Sequence, residues 1–239
     1  MGISDAIPDS AAIVQHPYFP QSVILSGGTY LPNDWDVVTL IAVFGAGWAA
    51  IMFVTLLIVK QINPSLKKSD RALVLWFVLC GAIHLFFEGY FMYNHHRMAS
   101  MNDFFGQLWK EYALSDSRYM ASDPFVLCME SWTAIFWGPL SFLTALLITT
   151  NSPYRHPVQA LVSTGQFYGD VLYYTTSLFD DFYKQQRHYR PEPYYFWFYF
   201  IFMNGAWIVI PLCCVFSSMR ATGKAFAVAQ KLEQGKKKL

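Results

Sequence analysis

Read for hydrophobic and polar positions, the chain alternates long apolar runs with short polar links. Five runs, roughly 37–59, 72–93, 125–148, 158–179 and 194–217, each approach the ~20 residues that a bilayer-spanning helix needs. The first and last contain no charged residue. The second carries His84 and Glu88, the third Glu130 and the fourth Asp170, one carboxyl group in each of three successive runs. The pattern predicts an all-α integral membrane protein. A bundle of five transmembrane helices over 37–217 is flanked by an N-terminal segment, 1–36, and a basic tail, 218–239. Five spans fill the chain and leave no room for a separate soluble domain.

Composition agrees: 54% hydrophobic, 18% aromatic and 14% charged residues lie far from a soluble domain. The basic residues orient the bundle. Residues 1–36 contain Asp5, Asp9, Asp34 and Asp36 but no Lys or Arg, whereas 218–239 contain Arg220, Lys224, Lys231 and Lys236 to Lys238. Lys60, Lys67, Lys68, Arg71 and Arg155 lie in the links expected on the C-terminal side. An excess of positive charge marks the cytosolic face, so the N-terminus is expected to be lumenal and the C-terminus cytosolic. The first run stands too far from Met1, and lacks a basic leader, to read as a cleavable signal peptide. Lys236 and Lys237 resemble the dilysine retrieval signal of endoplasmic reticulum proteins, with a solvated basic tail as the alternative.

Cys80, Cys128, Cys213 and Cys214 all fall within spans and read as small apolar fillers with reduced thiols. No metal site is expected, because only His84 among the histidines is intramembrane. Repeats, phosphate-cradling glycine loops and basic nucleic-acid patches are absent, and Pro64 rules out glycosylation at Asn63.

Depth and face gather the polar residues. At about 1.5 Å rise per residue from the lumenal ends, Glu88 and Glu130 lie roughly 8 Å in, Thr133 about 12 Å, and His84, Asp170 and Asn204 about 14–15 Å. Each helix offers one polar face: His84 with Glu88, Glu130 with Thr133, Gln166 with Asp170, and Asn204 with Trp207, at spacings of four or three. Exposing them separately to lipid would cost several kcal/mol per group, roughly, so all four faces are expected to turn inward around a common cavity. Polar residues also serve as interhelical glue, for about 1 kcal/mol each, and that reading stays open.

The chemistry open to such a set is narrow. In a low-dielectric pocket one of Glu88 and Glu130 can stay protonated and serve as an acid, while its partner, held by His84, accepts a proton. No nucleophile with its base and no redox-cofactor motif accompanies them, so no cofactor is expected. Aromatic walls from Phe86, Phe87, Trp132, Trp137, Tyr173 and Trp207 suit a flat hydrophobic substrate. The face of Trp207 would favour a cation by about 1–2 kcal/mol. Acid, base and cation-stabilising ring together suggest alkene isomerisation through a carbocation.

The strings IHLFFEGYF, QLWKEYALSDSRY, CMESWTAIFWGPLSF, STGQFYGDVLYY and YFWFYFIFMNGAW resemble, in order and spacing, the emopamil-binding family of sterol Δ8-Δ7 isomerases of the endoplasmic reticulum. The resemblance covers roughly Leu75 to Pro211. Residues before Asp34 and after Ser218 differ from the family pattern, and Ser177 to Pro193 is longer.

The resemblance implies a five-helix enzyme of the endoplasmic reticulum membrane that protonates carbon 9 of a Δ8 sterol, forms a cation at carbon 8 and removes a proton from carbon 7. It matches His84, Glu88 and Glu130 to the catalytic groups, and Thr133, Asn204 and Trp207 to substrate binding and cation stabilisation. Asp116, Arg118, Tyr119, Gln166, Asp170 and Tyr173 are assigned supporting parts, Asp170 as a bond between facing helices. Trp109, Tyr112 and Tyr119 read either as an interfacial lid over an Asp116–Arg118 pair or as an amphipathic loop resting in the headgroups. The resemblance further implies binding of cationic amphiphilic ligands, which mimic the carbocation, and an association with a sterol reductase. Gly45, Gly47 and Ala50 leave room for a homodimer contact, with intramolecular packing as the alternative. A non-catalytic sterol or lipid receptor of the same superfamily is the competing reading, and a transporter is disfavoured by the lack of a two-fold repeat.

Overall fold

The computed structural model describes residues 15–236, and these form helices with no strand among them. Asp5, Asp9, Lys237 and Lys238, part of the expected charge asymmetry and half of the retrieval-like pair, lie outside the described residues. The helices are α1 (Val37–Ile62), α2 (Lys68–Ser100), α3 (Phe104–Tyr112), α4 (Pro124–Thr149), α5 (Arg155–Tyr183) and α6 (Tyr195–Lys236). Four of them, α1, α2, α4 and α6, are long and apolar enough to cross a membrane. At 29 residues α5 has the length, but polar positions from Gln159 to Asp170 keep it out of that set.

Local chemistry sets the ends. Asp36, Asp103 and Asp123 cap α1, α3 and α4 by accepting the backbone N–H of Thr39, Gly106 and Val126, satisfying donors that a helix start leaves free. Pro124 occupies the first turn of α4, where its missing N–H costs nothing. α1 stops at Asn63 ahead of Pro64, and the Asn63 side chain donates to the Thr149 carbonyl at 3.0 Å, tying α1 to the end of α4. Two helices outrun their expected bounds the most. α2 continues beyond residue 93 by tightening into a 3₁₀ turn over His95–Ser100. α6 carries the basic segment onward as helix to Lys236, because its alanines, lysines and glutamines are strong helix formers.

Two apolar clusters hold the bundle. One, at the end covered by α3, packs Tyr18, Phe91, Trp109, Tyr119, Val126, Tyr173 and Phe200. The other packs Val59, Phe77, Ala145, Ile148, Val162 and Cys214 at the opposite end. On each of α2, α4, α5 and α6 the candidate polar residues fall between these clusters, since His84 and Glu88 separate Phe77 from Phe91 as Gln166 and Asp170 separate Val162 from Tyr173. The site is therefore a polar layer between two dry cores.

Three helices widen into π turns at this layer, over Ile83–Glu88, Thr133–Trp137 and Tyr195–Met203. The backbone N–H of Gly89 reaches the His84 carbonyl and that of Gly138 the Thr133 carbonyl. Such turns re-aim side chains and are common at functional sites. Gly138 also lets the two π turns touch: a Cβ there would stand 3.1 Å from the Leu85 nitrogen.

Candidate active site

A cavity of about 180 Å³ opens in the polar layer. His84, Glu88 and Phe87 enter it from α2, Glu130 and Thr133 from α4, and Gln166, Asp170 and Tyr173 from α5. Asn204 and Trp207 come from α6, while Trp109, Tyr112 and Tyr119 close it from the α3 side. Every residue expected at the catalytic or substrate-binding positions thus lines one cavity. Asp116 and Arg118 do not; they stand behind it.

The network inside is continuous. His84, only 3% exposed, presents Nδ1 to both carboxyl oxygens of Glu88 at 2.8 Å, while Gln166 Nε2 lies 3.1 Å from its Nε2. Nδ1 thus faces Glu88 and Nε2 faces the Gln166 amide, which fixes the ring between α2 and α5. The Thr133 hydroxyl meets Glu88 Oε2 directly and lies 3.5 Å from Glu130 Oε2. Thr133 thereby bridges the two carboxyl groups. On its other side Glu130, 4% exposed, accepts the Tyr119 hydroxyl at 2.5 Å. Burial, and after it the Glu130 charge, push the Tyr119 phenol well above its ordinary value, so it stays a donor.

The remaining lining residues hold the far wall. Asn204 accepts the Tyr112 hydroxyl at 2.9 Å and donates to the Phe200 carbonyl at 2.8 Å. Trp207 packs against Trp76 with centroids 5.4 Å apart, and its indole Nε1 has no partner among the described residues. Arg118 bonds Asp116 at 2.6 Å, Thr176 at 2.9 Å and the Tyr173 carbonyl at 3.3 Å, and its guanidinium lies 5.1 Å from the Tyr173 ring centroid. The buried ion pair holds Tyr173 from behind.

Several expectations are corrected. Phe86 and Trp132 point outward, 57% and 52% exposed, because each sits two positions from its polar neighbour and so on the opposite side of the helix. Trp137 packs behind the wall on Gly165, where a Cβ would come within 2.3 Å of the ring. The stretch from Trp109 to Tyr119 is no headgroup-resting loop, since Trp109 and Tyr119 are buried and Trp109 stacks on Phe87 with centroids 4.3 Å apart. Asp170 does not bond a facing helix: no described side chain donates to it, and its Oδ2 is buried without a partner. Sequence reasoning missed the direct bonds from Tyr119 to Glu130 and from Tyr112 to Asn204, and the lining glycines Gly165 and Gly169. The α5 repeat of glycine every four residues, 165 and 169, was the available signal for a smooth face.

The model of EXPERA (EXPanded EBP superfamily) matches residues 104–218. The chain is 40% identical over 208 residues to a 3-beta-hydroxysteroid-Delta(8),Delta(7)-isomerase of Rattus norvegicus, covering 86% of this chain and 87% of that one. It is 32% identical over 212 residues to a probable 3-beta-hydroxysteroid-Delta(8),Delta(7)-isomerase of Oryza sativa subsp. japonica, 88% and 94% of the two chains. It is also 30% identical over 212 residues to a protoglabretal synthase of Citrus sinensis, 88% and 96% of the two. With identity of this level running through most of both chains, the protein belongs to the expanded EBP superfamily.

Proposed function

We propose that the protein is a sterol Δ8-Δ7 isomerase, an enzyme that moves a ring double bond without a cofactor. The observation that carries this reading is the pair of carboxyl groups, Glu88 and Glu130, bridged by the single hydroxyl of Thr133 inside a cavity walled by apolar rings. In this reading the two carboxyls, drawn together away from water, hold one acid proton between them. That proton is the one the reaction needs. It passes to carbon 9, the resulting tertiary cation at carbon 8 faces the Trp207 ring and the Asn204 amide, and the other site takes a proton from carbon 7. One proton enters the sterol and one leaves. His84 with Glu88 handles one proton and Glu130 the other, Gln166 holding the His84 ring in place. Close relatives named for this reaction support the reading.

The room available also fits. A second apolar pocket of about 330 Å³, on the outer side of the bundle and lined by the outward-facing Phe86, adjoins the first at Phe44 and Phe87 and gives an apolar ligand room beyond the polar layer. In this reading α5 is also a span, the fourth of five in chain order, its polar side turned to the cavity, and 37–217 is the membrane domain, with the N-terminus lumenal and the C-terminus cytosolic in the endoplasmic reticulum. Cationic amphiphilic ligands would occupy the cavity in place of the carbocation. A homodimer and a sterol reductase partner belong to the same proposal.

The test is incubation of the purified protein with a Δ8 sterol such as zymosterol in deuterated water, followed by mass spectrometry. A Δ7 product carrying one deuterium is expected. Unchanged sterol recovered from folded, sterol-binding protein would move the function to a non-catalytic receptor.

A further inference from the structure

Asp170 is the acid of the cavity that the hydrogen-bond network leaves out. Glu88 is met by His84 and Thr133, and Glu130 by Tyr119, yet among the described residues no side chain donates to Asp170, whose Oδ2 is shielded and unpartnered. With Oδ2 shielded, Oδ1 is the oxygen that a ligand in the cavity can reach, and a buried carboxyl with no protein donor has room for a partner that arrives with the ligand.

The surrounding face of α5 is shaped for a flat molecule. Gly165, Gln166, Gly169 and Asp170 all line the cavity, and a Cβ at Gly169 would meet nothing within 4 Å. A planar ring system can therefore lie against the helix backbone there. Gln166 touches His84, and Asp170 stands four residues on along the same face, about 6 Å along the axis. Carbon 3 of a sterol and its carbon 8–carbon 9 edge, on neighbouring rings, are separated on the same scale.

Resting on the isomerase reading above, we propose that Asp170 is a substrate-binding residue that accepts the 3β-hydroxyl of the sterol and so sets which ring edge faces Glu88 and Glu130. The relatives' names specify a 3-beta-hydroxysteroid; the residue that would receive that hydroxyl is the one unsatisfied acid in the cavity.

The experiment compares zymosterol with its 3-deoxy analogue on the full-length protein in detergent, reading both kcat/KM and equilibrium binding. The wild type is expected to prefer zymosterol by about 5- to 100-fold, the range for a buried hydrogen-bonding group left without its partner. Asp170→Leu is expected to shrink the preference to within about threefold, and Asp170→Asn, isosteric and still an acceptor, to leave an intermediate value. A wild type that treats the two sterols alike overturns the proposal, as does a preference that survives intact in Asp170→Asn or Asp170→Leu. Binding keeps the two readings separable. If no Δ7 product forms, the isomerase reading fails while the binding preference still decides the role of Asp170; if product forms with no hydroxyl preference, the isomerase stands and Asp170 falls.

Discussion

Removing the Tyr119 hydroxyl tests whether the cap over the cavity takes part in the proton network. In Tyr119→Phe the ring keeps its neighbours, with Trp109, Phe91 and Tyr112 centroids at 4.7, 5.1 and 5.4 Å, so packing is unchanged. Only the 2.5 Å bond to Glu130 Oε1 is lost. Both partners are buried, 3% and 4% exposed, and among the described residues nothing else donates to that oxygen. Leaving a buried acceptor unsatisfied costs about 1–3 kcal/mol, and each 1.4 kcal/mol is about tenfold, so the expected loss is roughly 5- to 150-fold. Tyr119 is a positioning residue acting through Glu130, so the loss falls on kcat rather than KM and displaces one limb of the pH–rate profile. The assay is steady-state conversion of zymosterol across pH, with thermal unfolding in the same detergent. A variant with kcat within twofold of wild type and an unmoved pH profile would refute the reasoning, whatever its melting temperature.

Three further outcomes follow from the packing and charge. Gly165→Ala forces a Cβ to within 2.3 Å of Trp137 and should cost about 1–3 kcal/mol of stability, whereas Gly169→Ala, with open space at its Cβ, should melt no lower than wild type; equal melting points would disprove the close approach. Asp116→Asn leaves the buried Arg118 guanidinium without its carboxylate, a pair 2.6 Å apart and 3% and 0% exposed, and should lose about 3–5 kcal/mol in denaturant unfolding. Lys110, whose ammonium reaches the Leu31 carbonyl at 2.6 Å and Asn102 at 2.8 Å, is pushed down to about 8 by burial, against the opposing pull of Asp34 and Asp103. Its ordinary value is about 10.4, so between these values the unfolded chain binds more proton and this residue's contribution to stability rises with pH. Wild type should therefore gain stability from pH 8 to 10 relative to Lys110→Met, and parallel pH curves for the two would exclude the effect.

The helices and the polar layer were legible because their signals are local. An apolar run of some twenty residues reads as a span whatever surrounds it, and spacings of three and four put His84 with Glu88 and Glu130 with Thr133 on one face. The outward rings of Phe86 and Trp132 follow from the same geometry once the two-residue offset from His84 and Glu130 is applied; composition alone had drawn them inward. The cap was not legible. Nothing near Trp109 or Tyr119 in sequence says that they are buried, because what covers them comes from far away: Tyr18, in the N-terminal segment, packs in the same cluster and bonds the Lys110 carbonyl at 3.3 Å. The π turns were equally hidden, since an extra residue per turn leaves no mark on composition. The fate of Asp170 turned on what is missing around it, and spacing cannot report a missing donor.

Taken with the wall residues, the cap explains why an acid set of this kind can function in an apolar bundle. Proton transfer to a weakly basic alkene needs a site from which water is excluded, or the cation would be captured before carbon 7 gives up its proton. The Trp109–Phe87 stack and the Tyr18 cluster supply that seal on one side, and the Val162–Phe77–Ile148 cluster supplies it on the other. The seal also carries chemistry. Tyr119 and Tyr112 reach through it to Glu130 and Asn204, the groups that the proposed mechanism assigns to proton transfer and to holding the cation. The same residues therefore wall the cavity and complete its hydrogen-bond network, and a change that loosens the cap is expected to slow the proposed reaction even where it touches no catalytic group.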